Sequence, residues 1–319
     1  MIGVKLTNGT KEIMLFSGSS NPTLGKEISK NLSIPEGKIN LKKFANGETY
    51  AQFLENIRGK DVFLLQTATE PINDNLMELL IMIDAAKRSS AGRIVVVTPN
   101  FFYARQDRKA ASRESITAKL VADLLTTAGA DRIVTIDLHS DQTQGFFNIP
   151  LDNLPTMSIM MKKAEELVEG EGVVVAPDAG SAKRATKIAS KMNLELSIIN
   201  KIRLKHNEAK ALNIIGADVK GKTCLIFDDM IDTGGSLCTT IDMLKENGAI
   251  KVYAFITHGI LSSDAVTKVE NSKVDKLYIS DSIPLRTKSE KIEIISIAKY
   301  IACAIKCIHE DESVSILFD

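Results

Sequence analysis

Apolar residues along the chain alternate between short continuous runs and longer stretches with helical spacing. Continuous runs at 93–98, 172–176 and 223–227 are typical of parallel strands that are buried on both faces. The stretch 117–128 has helical spacing and ends at Gly129, a common helix stop. The pattern also predicts strands at 12–17, 61–66, 132–138 and 251–257, helices ending near 31, 88 and 192, and helices over 237–247 and 293–308. This alternation predicts an α/β fold with mainly parallel central sheets flanked by helices.

Residues 150–155 contain two prolines among polar residues and are the best candidate domain boundary. The strand–helix alternation begins again after them, and the strand ends Ile94-Val-Val-Val-Thr-Pro and Val173-Val-Val-Ala-Pro are similar. A chain of 319 residues is long enough for each half to bury its own core. We therefore expect two similar domains, 1–153 and 154–319, related by duplication.

Composition excludes several classes of function. Forty basic and forty acidic residues cancel, so no overall charge attracts nucleic acid or an anionic membrane. Tryptophan is absent and aromatic residues make up 5%, which disfavours a base-stacking surface. No leader pattern or membrane-length apolar segment is present, and four cysteines in a chain of this size indicate reduced thiols. Two of them, Cys303 and Cys307, share a helix face, but no suitably spaced partner pair supports a metal site. We expect a cytoplasmic protein without nucleic-acid or membrane partners.

The segment from Phe227 to Ser236 concentrates the chemistry of the second half. Asp228 and Asp229 follow a buried strand, Gly234 and Gly235 fill the turn, and Ser236 opens a helix. Glycines and a helix N-terminus suit a phosphate, whereas the acid pair suits sugar hydroxyls or Mg²⁺. An ordinary strand–turn–helix junction is the alternative, because Asp and Gly are common turn residues. Three acids, a hydroxyl and two glycines within ten residues favour a site for a ribose monophosphate.

Four other segments carry candidate chemistry, and the residues alone leave each of them open. The basic run at 103–109 and the basic stretch at 200–212 are each typical of solvated loops. His139 and Asp178 each follow a predicted strand, where ligands of open α/β sheets bind. The segment 216–223 fits the Walker A pattern, but it leads into a strand instead of following one, so we reject it.

These strings also resemble a known family. Asp-Asp-Met-x-Asp-Thr-Gly-Gly-Ser at 228–236 resembles the phosphoribosyl-pyrophosphate loop of the type I phosphoribosyltransferase superfamily, most closely that of the ribose-phosphate pyrophosphokinase family. Tyr-Ala-Arg-Gln-Asp-Arg-Lys at 103–109 and the segment 137–147 are similar to that family's strings. Departures are Ser115, where the family usually has proline, and Thr143, where it has isoleucine. The resemblance extends from the Phe44 turn to the C-terminal tail.

The resemblance implies two phosphoribosyltransferase-like domains, with the tail packing back on the N-terminal one. It implies transfer of the β,γ-pyrophosphoryl group of ATP to the C1 hydroxyl of ribose 5-phosphate, giving phosphoribosyl pyrophosphate and AMP. It further implies Mg²⁺ as cofactor, phosphate and ADP as regulators, and a homo-oligomer, usually a hexamer. The implied catalytic residues are Lys201 and Arg203; the ATP site Phe44, Asn46, Gly47, Glu48, Arg105, Gln106 and Asp107; the ribose 5-phosphate site Arg203, Asp228, Asp229, Asp232, Thr233, Gly234, Gly235 and Ser236; and the metal-associated residues His139 and Asp178.

Two other functions share part of this pattern. A phosphoribosyltransferase has the 228–236 loop but does not need the Arg105 segment or the Lys201–Arg203 pair. A non-catalytic regulatory subunit would be expected to have lost catalytic loop residues, which are present here. We therefore expect a synthetase.

Overall fold

The computed structural model describes residues 12–168, 170–202 and 211–318. Contacts divide the chain into two compact units. The first extends to Leu154 and includes Ala298–Leu317; the second comprises Pro155–Ile297 and Phe318.

A five-stranded parallel sheet forms the centre of the first unit, with the strand order β1-β4-β5-β6-β7. An antiparallel hairpin of β2 and β3 stands apart from it. The strands are β1 (Ile13–Ser17), β2 (Ile39–Lys43), β3 (Thr49–Phe53), β4 (Asp61–Leu65), β5 (Arg93–Thr98), β6 (Arg132–Ile136) and β7 (Leu151–Leu154), and the helices are α1 (Pro22–Leu32), α2 (Ile72–Arg88) and α3 (Thr117–Ala128). All five residues of β4 are buried, as the continuous apolar run predicts.

Local sequence sets the helix ends in this unit. The Asn21 side chain accepts a hydrogen bond from the Leu24 N–H at 3.2 Å, and Pro22 occupies the first turn of α1. α3 ends at Gly129, whose φ of 123° favours glycine.

The second unit contains a seven-stranded sheet in the order β10-β9-β8-β11-β12-β13-β14, in which only the β10–β9 pair is antiparallel. Its strands are β8 (Gly172–Ala176), β9 (Glu195–Ile202), β10 (Ala211–Gly216), β11 (Thr223–Ile231), β12 (Lys251–Gly259), β13 (Lys276–Ser280) and β14 (Ile292–Ile295). Its helices are α4 (Met157–Glu165), α5 (Ala182–Met192), α6 (Gly235–Glu246) and α7 (Ala265–Asn271). Val173 packs with Leu237 and Ile241 of α6, whereas its neighbour Val174 packs with Met160 of α4 and Ile188 of α5. Because successive strand residues point to opposite faces, helices cover both faces of this sheet.

The last helix, α8 (Ala298–His309), belongs to the first unit. Arg93 joins it to β4, since Nη2 donates to the Ile308 carbonyl at 2.9 Å and also binds the Asp61 carboxylate. His309 Nδ1 lies 2.9 Å from Asp61 Oδ2, and the Asp61 side chain is only 1% exposed. A buried carboxylate that contacts an arginine and a histidine therefore anchors the end of α8.

Two predicted elements were wrong. Residues 293–308 are not one helix, because Ile292–Ile295 form the edge strand β14 and α8 begins only at Ala298. Runs of isoleucine suit either element, so periodicity does not separate them. The basic stretch at 200–212 is not all loop, because β9 extends to Ile202 and β10 starts at Ala211.

Two predicted strands are longer than expected. β11 continues past Phe227 to Ile231, and β12 continues past Thr257 to Gly259. Each extension pairs with the other, with Asp228 opposite Ile256 and Ile231 opposite Gly259. The α/β fold with parallel sheets is confirmed, and 216–223 does lead from one strand into the next. In the part of the chain described, no helix is long and apolar enough to cross a membrane.

Candidate active site

An acid pair lies near the carboxyl end of β11. Asp229 is 7% exposed, and its N–H donates to Asp228 Oδ1 at 2.9 Å. Arg184, in the first turn of α5, faces both side chains, with Nη1 at 3.8 Å from Asp228 Oδ1 and 3.7 Å from Asp229 Oδ1. β8 is the parallel neighbour of β11, so the segment after β8 and the acids share one sheet edge.

The surroundings of Asp228 disfavour its negative charge. Burial and the neighbouring Asp229 carboxyl group together raise the pKa of Asp228 to about 7, although Arg184 acts in the opposite direction. A buried pair of this kind gains from hydrogen-bond donors or a cation, because either compensates the charge that the protein leaves under-solvated. Sugar hydroxyls and a divalent cation meet that description, whereas a phosphate does not.

The turn after the acid pair presents backbone N–H groups. Gly234 has φ = 75°, the left-handed region that favours glycine, and it caps the twelve-residue helix α6. A Cβ added at Gly235 would meet no atom within 4 Å, so the backbone there faces open space. Within the described residues, the N–H groups of Thr233, Gly234 and Gly235 donate to no protein acceptor. Convergent N–H groups at a helix N-terminus form a cradle for an anion.

The segment 260–264, between β12 and α7, forms hydrogen bonds with the residues that precede this turn. The N–H of Ile260 donates to the Ile231 carbonyl at 2.9 Å, and the N–H of Ser262 donates to the Asp232 carbonyl at 3.1 Å. The Ser262 hydroxyl also donates to Asp232 Oδ1. Sequence reasoning missed both Ser262 and Arg184, because tertiary contacts define their positions.

Asp178 lies on the loop between β8 and α5. It is exposed, and its Oδ1 accepts from the Ser181 N–H at 3.0 Å while the Ser181 hydroxyl donates to its carbonyl at 2.9 Å. No group of three or more acidic, His or Cys side chains suited to a metal occurs among the described residues. Mg²⁺ commonly uses one or two carboxylates together with substrate phosphates and water, so an exposed carboxylate at this edge fits it.

His139 lies in the first unit, three residues after the end of β6, and is exposed. The 3₁₀ turn Asp141–Phe146 follows it. The histidine of the Thr-His-Gly string, His258, is different: it is 2% exposed, and its Nδ1 lies 2.9 Å from the Ser282 hydroxyl. Of these two histidines, only His139 is accessible to a ligand.

The hairpin tip joining β2 and β3 contains the predicted adenine-binding turn. The Phe44 N–H donates to the Glu48 carbonyl at 2.8 Å, the Glu48 N–H donates to Asn46 Oδ1 at 3.2 Å, and Gly47 has φ = 91°. The Phe44 side chain is 49% exposed, and its ring makes a T-shaped contact with the Tyr50 ring, with 5.7 Å between the ring centroids; Lys42 Nζ lies 6.0 Å from the Phe44 centroid. The tip therefore holds a half-exposed aromatic side chain.

The predicted ATP segment follows β5 as a loop. Arg105 and Gln106 are exposed, and Asp107 is half-buried. The Gln106 carbonyl accepts from the Ala118 N–H at 3.2 Å, which ties the loop to the start of α3. Lys201 lies in the backbone of β9 opposite Leu212, but its side chain and the whole of Arg203 lie outside the described residues.

Comparisons with known proteins place the chain in a family. Residues 13–129 match the model of the N-terminal domain of ribose phosphate pyrophosphokinase, and residues 201–319 match that of the phosphoribosyl synthetase-associated domain. Ribose-phosphate pyrophosphokinase of Clostridium perfringens is 49% identical over 98% of this chain and 99% of its own. The chain belongs to the ribose-phosphate pyrophosphokinase family. The Chromobacterium violaceum relative is 47% identical over 96% of this chain and 95% of its own. The crystal structure of phosphoribosylpyrophosphate synthetase from Mycobacterium smegmatis matches with a TM-score of 0.90 at 40% identity, covering 94% of this chain and 100% of that one.

These comparisons confirm three predictions: the family, the fold class, and the assignment as an enzyme of phosphoribosyl pyrophosphate synthesis that uses ATP. The roles of individual residues stay predictions.

Proposed function

We propose that this chain transfers the β,γ-pyrophosphoryl group of ATP to ribose 5-phosphate. The C1 hydroxyl oxygen of ribose 5-phosphate attacks the β-phosphorus of ATP and releases its proton. The bond between the β-phosphorus and the oxygen that bridges it to the α-phosphorus breaks. AMP leaves and retains this bridging oxygen. Similarity to ribose-phosphate pyrophosphokinases over nearly the whole chain is the observation that carries this proposal. Positioning and charge compensation dominate such chemistry.

The ribose 5-phosphate site lies in the second unit. The turn from Thr233 to Ser236 holds the 5-phosphate through its N–H groups and the N-terminus of α6, with Asp232 beside it. Asp228 and Asp229 accept hydrogen bonds from the ribose hydroxyls. Two observations support this assignment, namely the N–H groups of Thr233, Gly234 and Gly235, which donate to no acceptor among the described residues, and the raised pKa of Asp228.

The ATP-binding segments lie in the first unit. The exposed turn of Phe44, Asn46, Gly47 and Glu48 receives the adenine of ATP that is bound to the neighbouring subunit. Arg105, Gln106 and Asp107 belong to the ATP site of their own subunit. Support comes from the half-exposed aromatic side chain of Phe44 and the exposure of Arg105.

Mg²⁺ is the cofactor of this proposal, and His139 and Asp178 are the residues associated with it. Bound Mg²⁺ supplies charge compensation for the phosphate oxygens of ATP. His139 is exposed in the first unit and Asp178 is exposed in the second, and an exposed side chain of this kind suits a cation bound mainly through substrate.

Lys201 and Arg203 act on the transferring group. An ammonium supplies a point charge to phosphate oxygens, and the guanidinium two residues later supplies a planar fork that also reaches ribose 5-phosphate.

The proposed domain roles, regulators, assembly and compartment are those implied by membership of the family. We assign residues 1–153 to ATP binding and 154–319 to ribose 5-phosphate binding, phosphate and ADP to regulation, and a homohexamer to the assembly. We place the protein in the cytoplasm, and its four unpaired cysteines are compatible with a reducing compartment.

An assay for AMP formation tests the reaction. AMP should appear only when ATP, Mg²⁺ and ribose 5-phosphate are all present. A phosphoribosyltransferase would instead consume phosphoribosyl pyrophosphate in the presence of a base, and a regulatory subunit would form no AMP. Either result would contradict the proposal.

A further inference from the structure

We propose that Ser262 is a positioning residue for ribose 5-phosphate, which fixes Asp232 and with it the phosphate-binding turn 232–236. The inference rests on the ribose 5-phosphate site proposed above. Ser262 belongs to the segment 260–264, between β12 and α7.

Two contacts join Ser262 to Asp232. The backbone N–H of Ser262 donates to the Asp232 carbonyl at 3.1 Å, and its hydroxyl donates to Asp232 Oδ1. One contact fixes the backbone of Asp232 and the other fixes its side chain. Both side chains are half-buried, so water competes for this hydrogen bond only in part.

The segment 260–264 also forms hydrogen bonds with Ile231, the residue that precedes Asp232. The N–H groups of Ile260 and Leu261 both donate to the Ile231 carbonyl, at 2.9 Å and 3.2 Å. Three successive N–H groups, together with one hydroxyl, are therefore directed at the two residues that precede Thr233. The start of the phosphate-binding turn is set by these donors.

The backbone around Ser262 is bent in an unfavourable way. Leu261 has φ = 49° and Ser263 has φ = 55°, a left-handed region that neither residue type favours. Such strain persists only where surrounding contacts overdetermine it, and it concentrates at functional sites. Here the two strained residues flank the one that binds Asp232.

The hydroxyl contact also affects the charge beside the anion cradle. Asp232 directly precedes Thr233, so its carboxylate lies close to the proposed phosphate. A donated hydrogen bond stabilises that negative charge and holds it in one place. Without the hydroxyl, this hydrogen bond is lost and the position of the carboxylate beside the phosphate is less restricted.

Steady-state kinetics of the full-length protein test this role. Ser262→Ala should raise KM for ribose 5-phosphate roughly 10-fold, the effect of losing one charge-assisted hydrogen bond. KM for ATP and kcat should change by less than about threefold, because the ATP segments and the reacting groups are untouched. Ser262→Thr retains the hydroxyl and should restore KM.

Ser263→Ala is the matched control. It removes the hydroxyl of an adjacent exposed serine in the same strained segment, and no contact joins that serine to Asp232. Its KM for ribose 5-phosphate should equal that of the parent. Equal KM values for Ser262→Ala and Ser263→Ala would overturn the proposal.

Calorimetric titration with ribose 5-phosphate alone gives a readout independent of turnover. If the parent binds ribose 5-phosphate and Ser262→Ala binds it equally well, only the role of Ser262 is refuted. If the parent fails to bind, the proposed function fails and this inference fails with it. Should Ser262→Ala not fold, Ser262→Cys, with a weaker donor of similar size, should show an intermediate KM, and a parental KM would count against the proposal.

Discussion

Replacing Asp228 by asparagine tests whether the acid pair reduces the stability of the free protein. Burial, with the neighbouring Asp229 carboxylate, raises the pKa of Asp228 from 3.8 to about 7. The folded state therefore holds this proton more tightly than the unfolded chain does. Stability is highest when Asp228 is protonated, falls as pH rises from about 4 to about 7, and stays lower above that.

The structure sets the size of this effect. Between about pH 5 and pH 7, two pH units correspond to about 2.7 kcal/mol for a group protonated only in the folded state. The Asp228 side chain retains 29% exposure, which reduces this to about 2 kcal/mol. Asparagine does not titrate, so between pH 5 and 8 the variant should gain roughly 3 °C in Tm relative to the parent, given a chain of 319 residues.

Differential scanning calorimetry without ligands, at one protein concentration, measures the change. Two further variants should change the dependence of Tm on pH in opposite directions. Asp229→Asn removes a neighbouring charge and should make the fall in Tm with pH shallower, whereas Arg184→Gln removes a compensating charge and should make it steeper. Parallel Tm curves for Asp228→Asn and the parent from pH 5 to 8 would refute the reasoning.

Other parts of the molecule give four further predictions. Lys201→Ala should lower kcat roughly 10²–10³-fold with little change in KM or Tm, and near-normal kcat in a turnover assay would contradict its catalytic role. Gly235→Val should weaken ribose 5-phosphate binding and spare ATP binding in calorimetry, because its Cβ enters the open space that the phosphate would occupy. Arg93→Met should lower the free energy of unfolding by about 3 kcal/mol in a chemical denaturation series, since the buried Asp61 loses a cation, whereas Arg88→Met, at an exposed pair, should change it by less than about 1 kcal/mol. Deleting residues 313–319 should reduce ADP inhibition beyond competition with ATP, provided that gel filtration shows the assembly unchanged.

Buried parallel strands were the most predictable part of the fold. The boundaries of β5 and β8 were predicted to the residue, because strands covered on both faces are continuous apolar runs. β11 was predicted too short, since Asp228 ended the apolar run although its backbone still pairs with β12. Polar side chains interrupt a hydrophobic pattern without interrupting a hydrogen-bond ladder.

The candidate site, like the strands, was predicted only in part from the sequence. The segment 228–236 was visible because acids, glycines and a helix start are adjacent in sequence. Arg184 and Ser262 were not visible, because each acquires its position only through the packing of neighbouring strands. Sequence patterns predict which segment binds a ligand, and tertiary contacts decide what holds that segment in place.

Unfavourable features of the second unit are concentrated around the end of β11. The raised pKa of Asp228, the left-handed φ angles of Leu261 and Ser263, and the N–H groups of residues 233–235, which have no acceptor among the described residues, all lie there. Two of these features would be the counterpart of something that ribose 5-phosphate offers: in the proposed site its hydroxyls donate to the acids and its phosphate accepts from the N–H groups. A structural junction would gain nothing from retaining them, whereas a binding site commonly retains such destabilising features because function requires them. Asp228→Asn should therefore gain stability and lose ribose 5-phosphate affinity in the same protein, and a variant that gained stability while binding normally would show that the acid pair does not bind the sugar.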